Sequence, residues 1–415
     1  MISVGKARLM FPALLLAVCG QLAATVAHAD AVTDWNVIAL GATAVPPNSA
    51  VQSRTLAIVH AAIHDAVRAV DRTGAAYAVD TEAPKGASIE AAVAAAAHGV
   101  LVRLAPMQRP MLDGALNAAL SKIADDKGRA DGLGVGAKVA EQIVAIRGGD
   151  GADATISFTP KPGPGLYQLT PQSGPAVLVH WGRIKPFILH GVDSFEFKGP
   201  PAVGSAEFTS EFDEIKLLGG RNSATRTADQ TAAAIFWVAQ TAVPWNAAAR
   251  AASAAKGLSV AENARLFAVL ALATADSQIV AFREKYRHPH WRPVTAIRAA
   301  TDLGIPTLKG DPHWEPLLVT PGHPDYPSAH AMFSGAAEVV LRTFFGTDNV
   351  KFAVTFPAPL GVTRTYNAFS EMTEEVDNAR VWGGIHFRSA DRDGSDMGRK
   401  IGATVMRHFP KQAID

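Results

Sequence analysis

Residues 260–293 read VAENARLFAVLALATADSQIVAFREKYRHPHWRP, and their pattern decides the fold. The run from Leu266 to Ala275 is strongly apolar and is bounded by Arg265 and Asp276. It is too short to cross a bilayer by itself and reads as a buried core helix. The helical pattern extends over 260–284. Pro289 forbids an unbroken helix beyond it, so the chain is predicted to leave the helix near His288.

Working outward, Leu56, Val59, Ile63 and Val67 recur at three- and four-residue spacing and predict a helix over 54–70. Similar patterns predict helices over about 88–104, 111–123, 135–147, 210–218, 228–243, 328–345, 371–381 and 391–408. Period-2 alternation is scarce, so the fold class is all-α: a helical bundle with one long interruption. That interruption spans about 148–204 and holds eight prolines, from Pro160 to Pro201. No helix survives that density of proline. Leu178, Val179, Trp181, Ile184, Phe187 and Ile188 are too apolar for a solvated spacer, so the segment is predicted to be an ordered loop. No fixed-period repeat is present.

Apolar residues make up 48% of the 415, and 39 Lys+Arg against 38 Asp+Glu give a formal net charge of +1. Such a chain is neither disordered nor a nucleic-acid binder relying on a broad basic field. Its single cysteine, Cys19, excludes an intrachain disulfide framework and a Cys-based zinc site. Lys6 and Arg8, the apolar run from Leu9 to Val26, and Ala27-His28-Ala29 read as a secretory signal peptide over 1–29. Cleavage after Ala29 removes Cys19 and takes the net charge from +1 to −1. The mature chain, 30–415, is then read as one exported domain, periplasmic or secreted. Residues 30–205 supply N-terminal helices and the long loop, and 206–415 form a helical core. No membrane span is predicted in the mature chain.

Three short blocks in the last third share one chemistry: Lys285 to Pro293, Pro327-Ser328-Ala329-His330, and Arg380 to His386. The first supplies an ammonium, Lys285, and a guanidinium, Arg292, the two usual donors to an oxyanion. Ser328 precedes an apolar helical stretch and is a candidate N-cap, so free backbone N–H groups above it favour an anion. Arg380 and His386 fall on different faces of a regular helix, but Gly383-Gly384 allows a bend that aims both at one point. Cations, a hydroxyl, helix-end N–H groups and two histidines together suit a tetrahedral oxyanion such as phosphate or vanadate. Taken singly, each element has a blander reading as a solvated cation, an ordinary cap or a structural histidine.

At these residues the chain resembles the superfamily of vanadium haloperoxidases and type 2 phosphatidic acid phosphatases. The family pattern is Lys-x6-Arg-Pro, then Pro-Ser-Gly-His, then Ser-Arg-x5-His-x3-Asp. Lys285, Arg292 and Pro293 fit the first block. Ala329 replaces Gly in the second. In the third, Ala379 replaces Ser and Ala390 replaces Asp, with Asp391 one place late. The stretches 54–70, 181–187, 226–230, 285–298 and 382–391 are similar to the soluble, exported bacterial haloperoxidase-like branch. The resemblance implies vanadate as cofactor, with His386 as the axial vanadium ligand. It implies Lys285, Arg292 and Arg380 on the equatorial oxygens, assisted by Ser328 and the Ala329 N–H. It implies His330 as acid/base. Asp229 is implied, less firmly, as a partner of the last arginine. His323 lies where bromoperoxidase-like members have His and chloroperoxidase-like members have Phe, favouring bromide or iodide. It also has a plainer reading as part of the Pro321-Gly-His-Pro324 turn.

Hydrogen peroxide, halide and a small organic acceptor would be the reactants. An alternative chemistry uses the same pocket: an exported acid phosphatase acting on a phosphate ester through a phosphohistidine at His386. The absence of Asp at 390 counts against it, because that Asp orients the nucleophilic His. A non-catalytic member of the fold is a third reading, opposed by the intact Lys, Arg and His residues. No nucleic-acid partner is expected, and a homo-oligomer is left open. His60 and His64, four residues apart, are read as helix-interface hydrogen-bonding groups before a metal pair. His288 and His290 flank Pro289 and could tune the site or be exposed.

Overall fold

The computed structural model describes residues 30–45, 48–170, 173–191, 195–238, 241–355 and 361–410. The predicted signal peptide, with Cys19, lies outside them. The long helix α9, Val260–Arg287, is the axis of the molecule. A capping box between Ser259 and Glu262 starts it, and His288 caps its end, one residue before Pro289. Among the described residues α9 alone is long and apolar enough to cross a membrane by length and composition. This corrects the expectation that no mature segment reaches that length. The helix is almost wholly buried inside the protein, as expected for 266–275.

Helices α1 (Ala31–Ala42), α2 (Ser49–Asp71), α3 (Ile89–Leu104), α4 (Arg109–Leu120) and α5 (Lys127–Arg147) pack on one side, with α2 directly against α9. Helix α5 starts eight residues earlier than predicted. Its N-terminal half is rich in glycine, a poor helix former, but Gly132 and Gly136 press against the backbone of α3 where a Cβ would collide. Helix α1 was not predicted at all; Asp30 caps it and accepts from Thr33 N.

On the other side lie α6 (Ala206–Leu218), α7 (Ala228–Phe236), α8 (Ala242–Lys256), α10 (Pro293–Ala299), α11 (Ala329–Phe345), α12 (Phe369–Trp382) and α13 (Arg388–His408). The predicted helix 228–243 ends early, at Phe236, and most of α8 was not predicted. Pro244 sits in the first turn of α8, where proline is tolerated, and so marks a start and not an interior. The closest pairing is α11 with α13. A Cβ on Gly398 of α13 would lie 2.1 Å from the Met332 carbonyl, and one on Gly335 of α11 would lie 2.1 Å from that of Ser395. A short antiparallel hairpin, β1 (Phe352–Thr355) with β2 (Thr363–Tyr366), pairs Phe352 with Tyr366. It is an addition to the all-α expectation.

Among the described residues the proline-rich segment is irregular, with one 3-10 turn at Trp181–Arg183 lying on α9. Trp181, Ile184, Phe187 and Leu189 are buried in a core that runs from Val32 to Phe409. Asp276 of α9 fastens the segment by accepting from the backbone N–H groups of Phe187, Ile188 and Leu189 at 2.7, 2.9 and 3.1 Å. Asp65 of α2 does the same for Tyr77, Ala78 and Val79. The segment also hydrogen-bonds to the residues after α9: Tyr167 N donates to Pro289 O, and Trp291 N to Gly165 O. A second, smaller core contains Phe208, Phe212, Trp291, Ile297, Val381 and Phe387, which anchors the neighbours of Arg292, Arg380 and His386.

Candidate active site

Three helix ends and two connecting turns bring the predicted cations together. Lys285, in the last turn of α9, is fully buried and donates from Nζ to the carbonyls of Pro324 and Asp325 at 2.9 and 3.0 Å. Arg292 caps α10 and is equally buried. Its Nε donates to His323 O at 2.8 Å, and its terminal nitrogens donate to Ile385 O at 2.5 Å, to His386 Nε2 at 3.1 Å and to His323 Nδ1 at 3.0 Å. Arg380 lies in the last turn of α12; one terminal nitrogen donates to Trp237 O at 2.8 Å, while its buried Nε has no hydrogen-bond partner among the described residues.

The bend expected at Gly383-Gly384 is present. Helix α12 stops at Trp382, and Gly384 takes φ +74 with its Cα so close to Gly219 O that a Cβ would lie 2.3 Å away. This turn swings His386, 1% exposed, back toward Arg292. Ser328 is the N-cap of α11, accepting from Ala331 N, and its own N–H donates to Ala390 O at 2.8 Å. Ala329 is buried behind it, with its carbonyl held by Gln278 Nε2. His330 follows, half-buried, on the first turn of α11.

Residues 265–413, which hold all of these groups, match a family model described as the VCPO second helical-bundle domain. The vanadium chloroperoxidase of Curvularia inaequalis is 29% identical over 182 residues, 35% of this chain. The match spans 29% of that relative's length. A bacterial vanadium-dependent iodoperoxidase of known structure superposes with a TM-score of 0.78 at 26% identity, covering 93% of this chain and 96% of that one. These matches support a place for the chain in the vanadium haloperoxidase superfamily. An apo-type bacterial vanadium-dependent chloroperoxidase shares the fold, with a TM-score of 0.71 at 20% identity over 88% of this chain and 94% of that one.

Electrostatics of the site are those of cations crowded out of water. Burial, then Arg292, pushes the Lys285 ammonium well below its ordinary range, against the pull of Asp325 and Asp391. Burial lowers Arg380 to about 10, which leaves it charged at neutral pH. Burial, then Arg292, Lys285 and Arg380, drives His386 well below the usual imidazole range. His386 is therefore neutral, as a ligand imidazole must be. His323 is held down in the same way, by its protein surroundings first and then by Lys285 and Arg292. An anion placed among these groups reverses the sign of the perturbation. With the buried Nε of Arg380, which has no hydrogen-bond partner among the described residues, the N-terminus of α11 behind Ser328 and a neutral His386, the residues present fit a tetrahedral oxyanion such as vanadate or phosphate.

One predicted residue lies elsewhere, and one weighed residue lies beside the cations without reaching His386. Asp229 does not reach Arg380; it is largely exposed and is taken by Arg364 of β2, at 3.0 and 3.4 Å. The hairpin that carries Arg364 was not foreseen, so its competing guanidinium was invisible. Asp391 is buried at the start of α13, and no hydrogen bond or ion pair among the described residues joins it to His386. Burial, then Asp377, raises its carboxyl well above the usual range, with Ser328 and Arg380 opposing.

One residue was missed. Asp325, fully buried, places Oδ1 3.0 Å from His386 Nδ1 and 3.9 Å from Arg292, and Oδ2 3.6 Å from His290 Nδ1. An Asp inside Pro324-Asp325-Tyr326-Pro327 reads from sequence as turn chemistry. Its only sequence signal is a position three residues before the predicted cap. His290 is buried behind it, edge-on to Phe208, whereas His288 is partly exposed beside Glu284. The candidate metal pair separates: His60 Nε2 accepts from Asn36, and His64 Nδ1 faces Asp65 at 3.1 Å.

Proposed function

We propose that the chain is a vanadate-dependent haloperoxidase that uses hydrogen peroxide to oxidise halide to hypohalous acid. What carries this reading is the convergence of Lys285, Arg292 and Arg380, all buried, around a neutral His386. His386 Nε2 would ligate vanadium. The three cations, Ser328 Oγ and the Ala329 N–H would hold vanadate oxygens. Vanadate, when bound, supplies a d⁰ Lewis acid that polarises peroxide without changing oxidation state. The cations would stabilise negative charge on the bound anion without reorganising, because each is already fixed by carbonyl acceptors. His330 would move protons at the pocket mouth. His323, partly exposed and packed edge-on against Phe282, would shape the halide approach.

Bromide or iodide is favoured over chloride. That order rests on His323, which stands where chloroperoxidase-like members have Phe. Export is part of the proposal: Asp30 caps α1, so cleavage after Ala29 leaves the first helix intact.

A phosphatase reading gains one specific observation. Asp325 stands at His386 Nδ1, where an orienting carboxylate is wanted, which removes the objection raised by Ala390. Both readings are tested on one preparation. Bromination and iodination of an indicator by vanadate, peroxide and halide are compared with release of nitrophenol from its phosphate ester. Peroxide-dependent halogenation that disappears when vanadate is stripped is the expected result. Phosphate release inhibited by vanadate, without halogenation, replaces it with the phosphatase.

A further inference from the structure

We propose that Asp325 is the positioning residue for His386: its carboxylate holds the imidazole in the tautomer that carries the proton on Nδ1 and leaves the Nε2 lone pair facing the anion site. The inference rests on the anion-site reading of His386 and is common to both chemistries above.

The two faces of the ring demand this tautomer independently. Arg292 approaches Nε2 at 3.1 Å, and a guanidinium has only donors, so Nε2 must accept. Asp325 approaches Nδ1 at 3.0 Å, and an ionised carboxylate has only acceptors, so Nδ1 must donate. The opposite tautomer would set two protons against each other at Arg292 and two lone pairs against each other at Asp325. The Nδ1 contact is close but not aligned as a full hydrogen bond, and among the described residues neither Asp325 oxygen has an aligned donor elsewhere.

Asp325 is itself rigidly held. Its carbonyl accepts from Lys285 Nζ at 3.0 Å, and its N–H donates to His290 O at 3.0 Å. The same residue thus ties the first cation to the orientation of the imidazole. His290 is the other candidate for its carboxylate, but at 3.6 Å it is the more distant partner. Outer-sphere carboxylates of this kind fix ring orientation and raise the basicity of the ligating nitrogen.

The test uses the full chain labelled with ¹⁵N-histidine. Long-range ¹H–¹⁵N NMR, with His386→Ala assigning the signal, reads the His386 tautomer. Titration with inorganic vanadate, and separately with inorganic phosphate, reads the site. The wild type is expected in the Nδ1–H form. Asp325→Ala is expected to mix the tautomers and to weaken vanadate binding about 10- to 100-fold, with Asp325→Asn, which keeps one acceptor oxygen, in between. An Nε2–H ring in the wild type overturns the proposal, and it does so even if neither variant folds. An unchanged tautomer and unchanged affinities in Asp325→Ala overturn it as well. If the wild type binds neither anion, the functional reading fails while the tautomer signal still judges Asp325.

Discussion

At the scale of single residues, the site depends on charges that are each buried and each tied down by backbone carbonyls. Replacing His386 by alanine should abolish tight vanadate binding while leaving the melting temperature within a few degrees. A ⁵¹V NMR titration beside a thermal melt checks this; a tight complex in the variant would refute the ligand assignment. Arg292 should behave differently, because it joins His323, Ile385 and His386 at once. Arg292→Ala strands buried acceptors, so it should lower stability by about 2–5 kcal/mol as well as losing the anion, measured by denaturant unfolding. Lys285, Arg292, Ser328, Arg380 and His386 were all legible in the sequence, because cations and a cap at fixed spacing are one-dimensional signals. Asp325 was not, because its importance comes only from what the turn at Pro324 folds it against.

At the scale of elements, close helix contact positions the anion groups. Ser328 opens α11 and His386 lies two residues before α13, so the spacing of these two helices sets the distance between them. Gly398 holds that spacing by letting α13 touch the α11 backbone. Gly398→Val should cost about 1–3 kcal/mol or more through overpacking and should weaken vanadate binding without altering any group in the site. Calorimetric unfolding and vanadate titration of the same variant check both halves. Apolar spacing marks the existence of helices such as α2, α9 and α13, but the breaks depend on tertiary partners. The join between α7 and α8 lies where Trp237 offers its carbonyl to Arg380, a contact from far along the chain. The hairpin escaped notice because its strands are only four residues long.

At the scale of the whole molecule, stability should depend on pH through a buried histidine far from the site. His60 is fully buried and stacked on Phe267, and burial, then Arg250, lowers it to about 3. Its folded value lies below the unfolded one, so its contribution is complete above about pH 6.5 and is lost as pH falls from there toward 3. The loss amounts to something on the order of 5 kcal/mol. Asp276 works in the opposite direction: burial raises it to about 6, so its contribution declines as pH rises from about 4 to 6. His60→Phe should therefore flatten the fall in melting temperature between pH 6 and 4, read by thermal melts across that range. An unaltered pH profile would show that His60 is not the group responsible.

The proline-rich segment has a consequence for exchange with solvent. Its amides include Tyr167, bonded to the Pro289 carbonyl, and Phe187 to Leu189, bonded to the Asp276 carboxylate inside the core. Those hydrogen bonds open only when the segment lifts off α9, which exposes Trp181 and Phe187 together. Deuterium uptake at these amides should thus be as slow as in the core helices, although the stretch has almost no helix of its own.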